Sequence, residues 1–492
     1  MKPNPPHMKW IPSPFKPITM VTLAVILAAG MLACKSGKTG QQDIIVIDPE
    51  KAGQLALAGQ LEESLSEYIL EPWYPLVVDT VNGGYHSTYT RDWTPVATSA
   101  ERALVQQARH VWATSMIYEN YPERREYLAY AATGFRFLRD AMWDKEFGGF
   151  YAYCNPEGSP VERSISQKKI YGQAFALYGL SRYYRVSNER EALELAQKEF
   201  RWMEEHAHDS QYGGYFEALR RDGSPEPARN QGESPGGFSD AGLKDYNSSI
   251  HLMEALTELY GIWPDSLVRA RLEEMFYLIR DTFVHPDGYL LLYFEPDWTH
   301  VTGEYTEERS RAAGGPEAEW FLEHFTYGHD VETAYLLLET AHALGRGGDE
   351  KTHRIAKRLV DHSLASGWDS QNGGFFDAGV PTQEGIRIVN NHKAWWGQVE
   401  GMNALLLMHT LYPDDPHDYY GKFLKSWEHI DTYLIDKAYG GWFNNATDTW
   451  PENVNQNKSH IWKTTYHNAR GMVNCIHMLR ENPESRNLSE HY

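Results

Sequence analysis

The chain has 492 residues, 42% hydrophobic and 23% charged, enough to bury a large core. Its 46 Lys and Arg against 67 Asp and Glu give a formal charge of −21, which argues against a body that wraps nucleic acid or docks on anionic lipid. Three cysteines exclude a disulfide scaffold and speak against a Cys-rich zinc or iron–sulfur site, whereas 16 Trp, 31 Tyr and 18 Phe make an aromatic excess that suits either a lined sugar cleft or the packing of a large helical core.

At the N-terminus, Lys2, Lys9 and Lys16 precede an apolar run from Ile18 to Ala33 that ends at Cys34. A basic stretch, a short apolar stretch and small residues before a break form the pattern of a secretory signal. Met31-Leu32-Ala33-Cys34 resembles a bacterial lipoprotein signal, which implies cleavage before Cys34 and lipid on that residue. Residues 1–33 are therefore expected to be a signal peptide and 34–50 a lipidated Cys with a tether. The barrel protein would then sit in the bacterial cell envelope, lipid-anchored and facing the periplasm. A plain membrane anchor is the alternative. Cys154 and Cys475 remain in the body, and their spacing does not decide whether they pair.

From residue 51 to 485 one unit recurs. Gly83-Gly84-Tyr85, Gly148-Gly149-Phe150, Gly213-Gly214-Tyr215, Gly373-Gly374-Phe375 and Gly440-Gly441-Trp442 repeat a glycine corner, with Asp287-Gly288-Tyr289 as a degenerate member. The last glycines are 65, 65, 74, 86 and 67 residues apart, room for a helix pair and a connection. Trp143-Asp144, His208-Asp209 and Trp368-Asp369 stand just upstream of their corners. Apolar residues between corners follow helical spacing, as in Ala103, Val105, Ala108, Val111, Trp112 and Met116. The pattern predicts twelve helices, near 52–72, 99–120, 124–142, 170–185, 189–207, 245–261, 265–283, 328–345, 350–365, 393–411, 416–435 and 462–480. Six helical hairpins, each burying one face on a neighbour, can close into an all-α (α/α)6 barrel with short β-hairpin corners. An open helical solenoid is the alternative. Two long segments, 220–244 and 297–327, break the rhythm before even-numbered helices.

Titratable and aromatic side chains gather at the start of the even helices. Asn247 and His251 open the sixth, His329 and Glu332 the eighth, Trp396 and Glu400 the tenth, and Trp462, His467 and Arg470 the twelfth. In a ring these ends share one mouth, which Arg109 and Tyr171 would also face. A single His on a helix is more often a packed residue than a catalyst, but three at one register of alternate hairpins are not independent. His329 with Glu332, and His251 with Glu254, stand at i,i+3, so a carboxylate can orient each imidazole. No His-x-x-x-His spacing supports a metal site, and no Gly-x-x-x-x-Gly-Lys-Ser/Thr loop or Ser elbow is present, Gly37-Lys38-Thr39 having Leu32 in place of the leading glycine. Two imidazoles suit reversible proton transfer near neutral pH, such as inversion of a carbon beside a carbonyl.

Six ordered motifs resemble the N-acylglucosamine 2-epimerase family, and within it the cellobiose and mannobiose 2-epimerases. They are Gln107-Ala108-Arg109, Tyr171-Gly172-Gln173-Ala174-Phe175, Asn247-Ser248-Ser249-Ile250-His251, Tyr327-Gly328-His329-Asp330-Val331-Glu332, Trp395-Trp396-Gly397-Gln398-Val399-Glu400 and Tyr466-His467-Asn468-Ala469-Arg470. The resemblance implies an (α/α)6 barrel that inverts C2 of a reducing-end glucose or mannose unit through a cis-enediolate, without metal or cofactor. It implies that His329 and His467 are the acid/base pair, that His251 assists ring opening, and that Arg109 steadies the developing oxyanion. Tyr171, Asn247 and Glu332 are implied as sugar-binding or histidine-orienting, and Trp396 and Trp462 as stacking walls, with Glu400 and Arg470 lining the same mouth. The partner is a small sugar; the sequence carries no signal for an oligomeric state. An aldose–ketose isomerase, a glycoside hydrolase using Glu332 and Glu400, and a non-catalytic sugar-binding lipoprotein remain as other readings.

Overall fold

The computed structural model describes residues 49–226, 242–302 and 324–481. The expected signal segment, Cys34, the expected tether up to residue 48, and most of both long insertions lie outside them. Among the described residues twelve long helices alternate: α1 (Pro49–Leu65), α2 (Leu104–Asn120), α3 (Glu126–Phe137), α4 (Ile170–Ser187), α5 (Arg190–His206), α6 (Tyr246–Ile262), α7 (Ser266–Leu278), α8 (Tyr327–Ala343), α9 (Glu350–Ser366), α10 (Trp395–Leu411), α11 (Tyr419–His429) and α12 (Tyr466–Arg480). Four outer helices, α1, α3, α7 and α11, run on into a π-turn. The sequence placed all twelve, with small errors at the ends. Helix α2 begins at Leu104 rather than near 99, because Arg102–Ala103 form a strand. Helix α12 begins at Tyr466 rather than 462, because His460 and Lys463 close a tight turn first.

The even helices form an inner ring. Each of α2, α4, α6, α8, α10 and α12 packs on the next, and α12 returns to α2. Backbone pairing closes the same circle. The stretch before each inner helix pairs antiparallel with the chain after the following corner: β1 (Arg102–Ala103) with β2 (Tyr153–Cys154), β3 (Gln167–Lys169) with β4 (Ala218–Arg220), β5 (Lys244–Asp245) with β6 (Tyr293–Phe294), and β7 (Phe325–Thr326) with β8 (Ala378–Thr382). Ala394 pairs with Asn445, and Ser459 with Tyr89 at the other end of the fold. That last bridge decides for a closed (α/α)6 barrel over an open solenoid. The glycine corners are single-bridge hairpins, such as Trp143↔Phe150 and His208↔Tyr215. One longer hairpin, β8 with β9 (Gly385–Asn390), extends the fifth corner.

Each full corner is built the same way. Asp79, Asp144, Asp209, Asp369 and Asp436 turn one carboxylate oxygen onto backbone N–H groups of their own turn. The other oxygen takes a buried cation from the start of the next repeat: Arg102 at 2.7 Å, Lys168 at 3.0 Å, Lys244 at 2.7 Å, Lys393 at 2.7 Å and Lys458 at 2.8 Å. At three of these corners a glutamine one turn into the inner helix pairs with the corner aromatic's backbone: Gln107 with Tyr85, Gln398 with Phe375, and Gln173, which accepts from Phe150 N at 2.7 Å and donates to Phe150 O at 2.9 Å. In the degenerate corner Asp330 stands in the glutamine's place and accepts from Leu290 N at 3.0 Å.

The glycines have a physical cause. Gly148 and Gly149 adopt φ of +71° and +65°, and a Cβ on Gly149 would sit 3.0 Å from the Trp202 ring. Trp298 covers Gly214 and Trp93 covers Gly441 in the same manner. Each of these indoles also donates to the corner: Trp202 to Phe147 O, Trp298 to Tyr212 O and Trp93 to Tyr439 O, at 2.8–2.9 Å. Much of the aromatic excess is therefore corner architecture. Cys154 and Cys475 are both buried and both free thiols. Among the described residues no helix is long and apolar enough to cross a membrane.

Candidate active site

The inner helices bring the expected residues to one end of the ring. Arg470 lies at the centre of a buried cage. Its Nη1 donates to Glu254 Oε1 and to Tyr466 Oη, and its Nη2 donates to Glu332 Oε1 and, at 2.7 Å, to Glu400 Oε1. Glu332 and Glu400 are both 0% exposed, so three carboxylates from α6, α8 and α10 converge on one guanidinium from α12. Burial opposes the charge on Glu254, but Arg470 and the hydrogen bonds from His251 and Tyr466 hold its pKa at about 2. Glu400 goes the other way. Burial, only partly offset by Arg470 and reinforced by Glu332, lifts it to about 8.

The histidines stand on this cage. His467, 6% exposed, places Nδ1 2.8 Å from Glu400 Oε1. That oxygen already accepts from Arg470, so His467 carries its hydrogen on Nδ1 and is left with a lone pair on Nε2. His251 Nδ1 donates likewise to Glu254 Oε2 at 3.0 Å. His329, half-buried at the rim, differs. The i,i+3 spacing predicted Glu332 as its orienting partner, but Nδ1 faces Tyr246 Oη at 3.0 Å and Thr326 Oγ1 instead. Glu332 turns to Arg470, with Oε1 3.7 Å from His467 Nδ1. A hydroxyl gives or takes a hydrogen bond, so His329 can adopt either tautomer. Burial, with the nearby cations Arg109 and Arg470, pushes His467 well below the usual histidine range. Burial first, then His251 and Arg109, does the same to His329.

Trp396 contacts both rings, its centroid 4.6 Å from that of His329 and 5.6 Å from that of His467. Arg109 donates to Trp462 O at 2.8 Å and to Tyr171 Oη at 2.9 Å, and its guanidinium lies over Phe175 at 4.3 Å. Tyr171 also meets His251 edge-on at 5.5 Å. Asn247 is half-buried at the N-terminal end of α6, its Oδ1 enclosed without a hydrogen-bond partner. Trp462 is half-buried, 6.4 Å from Tyr171. All eleven residues singled out from the sequence thus lie on the inner helices or, for Trp462, just before α12. Sequence reasoning missed Tyr246, whose link to His329 spans 83 residues, Thr326, three residues before that histidine, and the role of Tyr466, whose hydroxyl donates to Glu254 at 2.5 Å across 212 residues. Among the described residues, two sets of donor atoms approach within 4.8 Å of one another and could hold a metal: His251, His329 and Glu332, and Glu332, Glu400 and His467. Helical spacing could not show them, because each set spans separate helices.

The chain matches the family model described as N-acylglucosamine 2-epimerase over residues 83–470. It belongs to that family. The Bacteroides fragilis protein named cellobiose 2-epimerase is 28% identical over 427 residues, covering 86% of this chain and 99% of that one. The solved cellobiose 2-epimerase from Spirochaeta thermophila superposes with a TM-score of 0.72 at 28% identity, covering 88% of this chain and 98% of its own. The one from Bacillus thermoamylovorans superposes with the same score at 23% identity, covering 86% and 99%, a likeness of fold. In this N-acylglucosamine 2-epimerase family member the residues singled out from the sequence gather at the rim where the inner helices begin.

Proposed function

We propose that this chain is a sugar 2-epimerase that inverts C2 of the reducing-end glucose or mannose unit of a β-linked disaccharide such as cellobiose or mannobiose. The observation that carries the reading is the pair of unlike histidines about Trp396. His467 is set by Glu400 as a base at Nε2, and His329 is free to hold its proton on either nitrogen. One imidazole takes the C2 proton and the other returns one from the opposite face. Arg109 steadies the enediolate oxygen, a role worth several kcal/mol for a preorganised donor (roughly 3–4). His251, backed by Glu254, assists ring opening. Trp396, Trp462 and Tyr171 hold the sugar faces, with Asn247 giving its unpartnered Oδ1 to a hydroxyl. Glu332, Glu400 and Arg470 act from beneath by holding His467. The relatives named cellobiose 2-epimerase support the disaccharide.

The carboxylates argue against a hydrolase. Glu332 and Glu400 share one Arg470 nitrogen and lie beneath His467 rather than free in the mouth. Incubation with cellobiose and mannobiose and analysis of the products tests the reading. A 2-epimer is expected. A ketose would make the protein an aldose–ketose isomerase, released monosaccharides a glycoside hydrolase, and binding without turnover a sugar-binding lipoprotein.

For the N-terminus, the support is Met31-Leu32-Ala33-Cys34 after its apolar run. We infer cleavage of residues 1–33 and lipid on Cys34, with 34–50 tethering a barrel that faces the periplasm. Cys34→Ser is expected to move the protein from the membrane to the soluble fraction; unchanged membrane association would overturn the lipid anchor.

A further inference from the structure

Of the two donor sets in the mouth, one already holds a cation. Glu332 Oε1 and Glu400 Oε1 both accept from Arg470 Nη2, so the guanidinium occupies the place a metal would take between Glu332, Glu400 and His467. The other set is different. His251 Nδ1 is spent on Glu254, His329 Nδ1 on Tyr246, and Glu332 Oε1 on Arg470. What remains is Nε2 of each ring and Glu332 Oε2, an enclosed oxygen with no hydrogen-bond partner on a residue 0% exposed. Two imidazoles and one carboxylate are a donor set that suits divalent transition cations. The outer layer suits them too. A histidine whose far nitrogen donates to a carboxylate, as His251 does to Glu254, is fixed in the tautomer that coordinates through Nε2. The hydroxyls on His329 Nδ1 can accept from it and leave Nε2 free in the same way.

We propose that His251, His329 and Glu332 form an inhibitory site for a divalent transition cation of the zinc class. The three residues offer donor atoms within 4.8 Å of one another. Zinc bonds of about 2.0–2.1 Å in a tetrahedron place donors about 3.4 Å apart, so binding draws them inward. The half-buried His329, at the rim, is the residue with room to move. The cation is not a cofactor. It takes the lone pairs that proton transfer needs and closes the mouth to sugar. The inhibition rests on the epimerase reading above; the binding does not.

The test is titration of the purified protein with Zn2+ alone, read by calorimetry without sugar, followed by sugar turnover with and without EDTA. Saturation by one equivalent is expected, with inhibition that sugar competes away and EDTA reverses. Glu332→Gln, His251→Gln and His329→Gln are each expected to weaken binding at least tenfold, and Glu254→Gln about 10–100-fold through the lost outer partner. Three variants keep the test open if one fails to fold, judged by its melting temperature. Absence of stoichiometric binding, or an affinity unchanged in the folded variants, overturns the site. Loss of zinc in His467→Gln with retention in His251→Gln would also overturn it, by moving the metal to the other donor set. Binding without inhibition overturns the inhibitory role and leaves the site. Epimerisation that fails while zinc still binds as described counts against the functional reading only.

Discussion

The corners and the Arg470 cage both bury charge and treat it differently. At the corners each aspartate has its partners to hand. Asp144 gives one oxygen to turn N–H groups and the other to Lys168, with Arg221 outside. Burial alone would raise its pKa, but these bonds hold it well below the usual carboxylate range. In the cage three glutamates compete for one arginine, and Glu332 Oε2 and Glu400 Oε2 are left enclosed without partners. One arrangement is saturated and static. The other is underfilled, with a carboxyl on Glu400 that keeps its proton up to about 8. Saturated pairs tie one repeat to the next, whereas the underfilled set can answer a change of charge on His467 or His251.

Replacing the cage cation should do the most damage. Arg470→Met leaves three carboxylates facing one another, and we expect a loss of about 3–5 kcal/mol in urea unfolding together with loss of turnover. Lys168→Met should cost up to about 3 kcal/mol, softened by Arg221, with turnover of the folded protein unchanged at 25 °C. Equal loss of turnover in both variants would erase the distinction. Gly149→Ala strains a left-handed backbone and presses on Trp202, and should lower stability by about 1–3 kcal/mol, again without changing turnover.

Glu400 in the cage and Asp436 at a corner should also respond to pH from opposite sides. Burial opposes ionisation of Asp436, yet Arg91 and Lys458 hold its pKa at about 2 against an ordinary 3.8. The stability from this pair is present above about 3.8 and is lost as pH falls through about 2. Glu400 is raised from 4.5 to about 8. Its contribution is present below 4.5 and is lost as pH rises through about 8. Melting temperature against pH should therefore flatten on the alkaline side in Glu400→Gln and on the acid side in Lys458→Met. The reverse assignment would contradict the burial of one and the pairing of the other.

What the sequence could show followed from period. Gly-Gly corners at 65 to 86 residue spacing and helical apolar patterns located the twelve helices, and helix starts at equivalent registers located the mouth. Partners in other repeats were not legible. Asp144 stood out upstream of its corner, but nothing local marked Lys168, 24 residues on, as its counterion. Arg470 reaches Glu332 across 138 residues and Glu254 across 216, so the cage exists only after the ring closes. His329 misled for the same reason. Its i,i+3 glutamate was the visible candidate, but the imidazole is held by Thr326, three residues before it, and by the Tyr246 hydroxyl from the neighbouring inner helix, 83 residues earlier.

The most direct measurement is proton exchange at C2. Cellobiose or mannobiose in D2O with the purified protein should gain deuterium at C2 of the reducing unit as the 2-epimer forms. His329→Ala and His467→Ala should each slow that exchange about 10³-fold or more, with melting temperature nearly unchanged. Failure to incorporate deuterium at C2 of either sugar, or exchange that survives loss of both histidines, would contradict the two-histidine account.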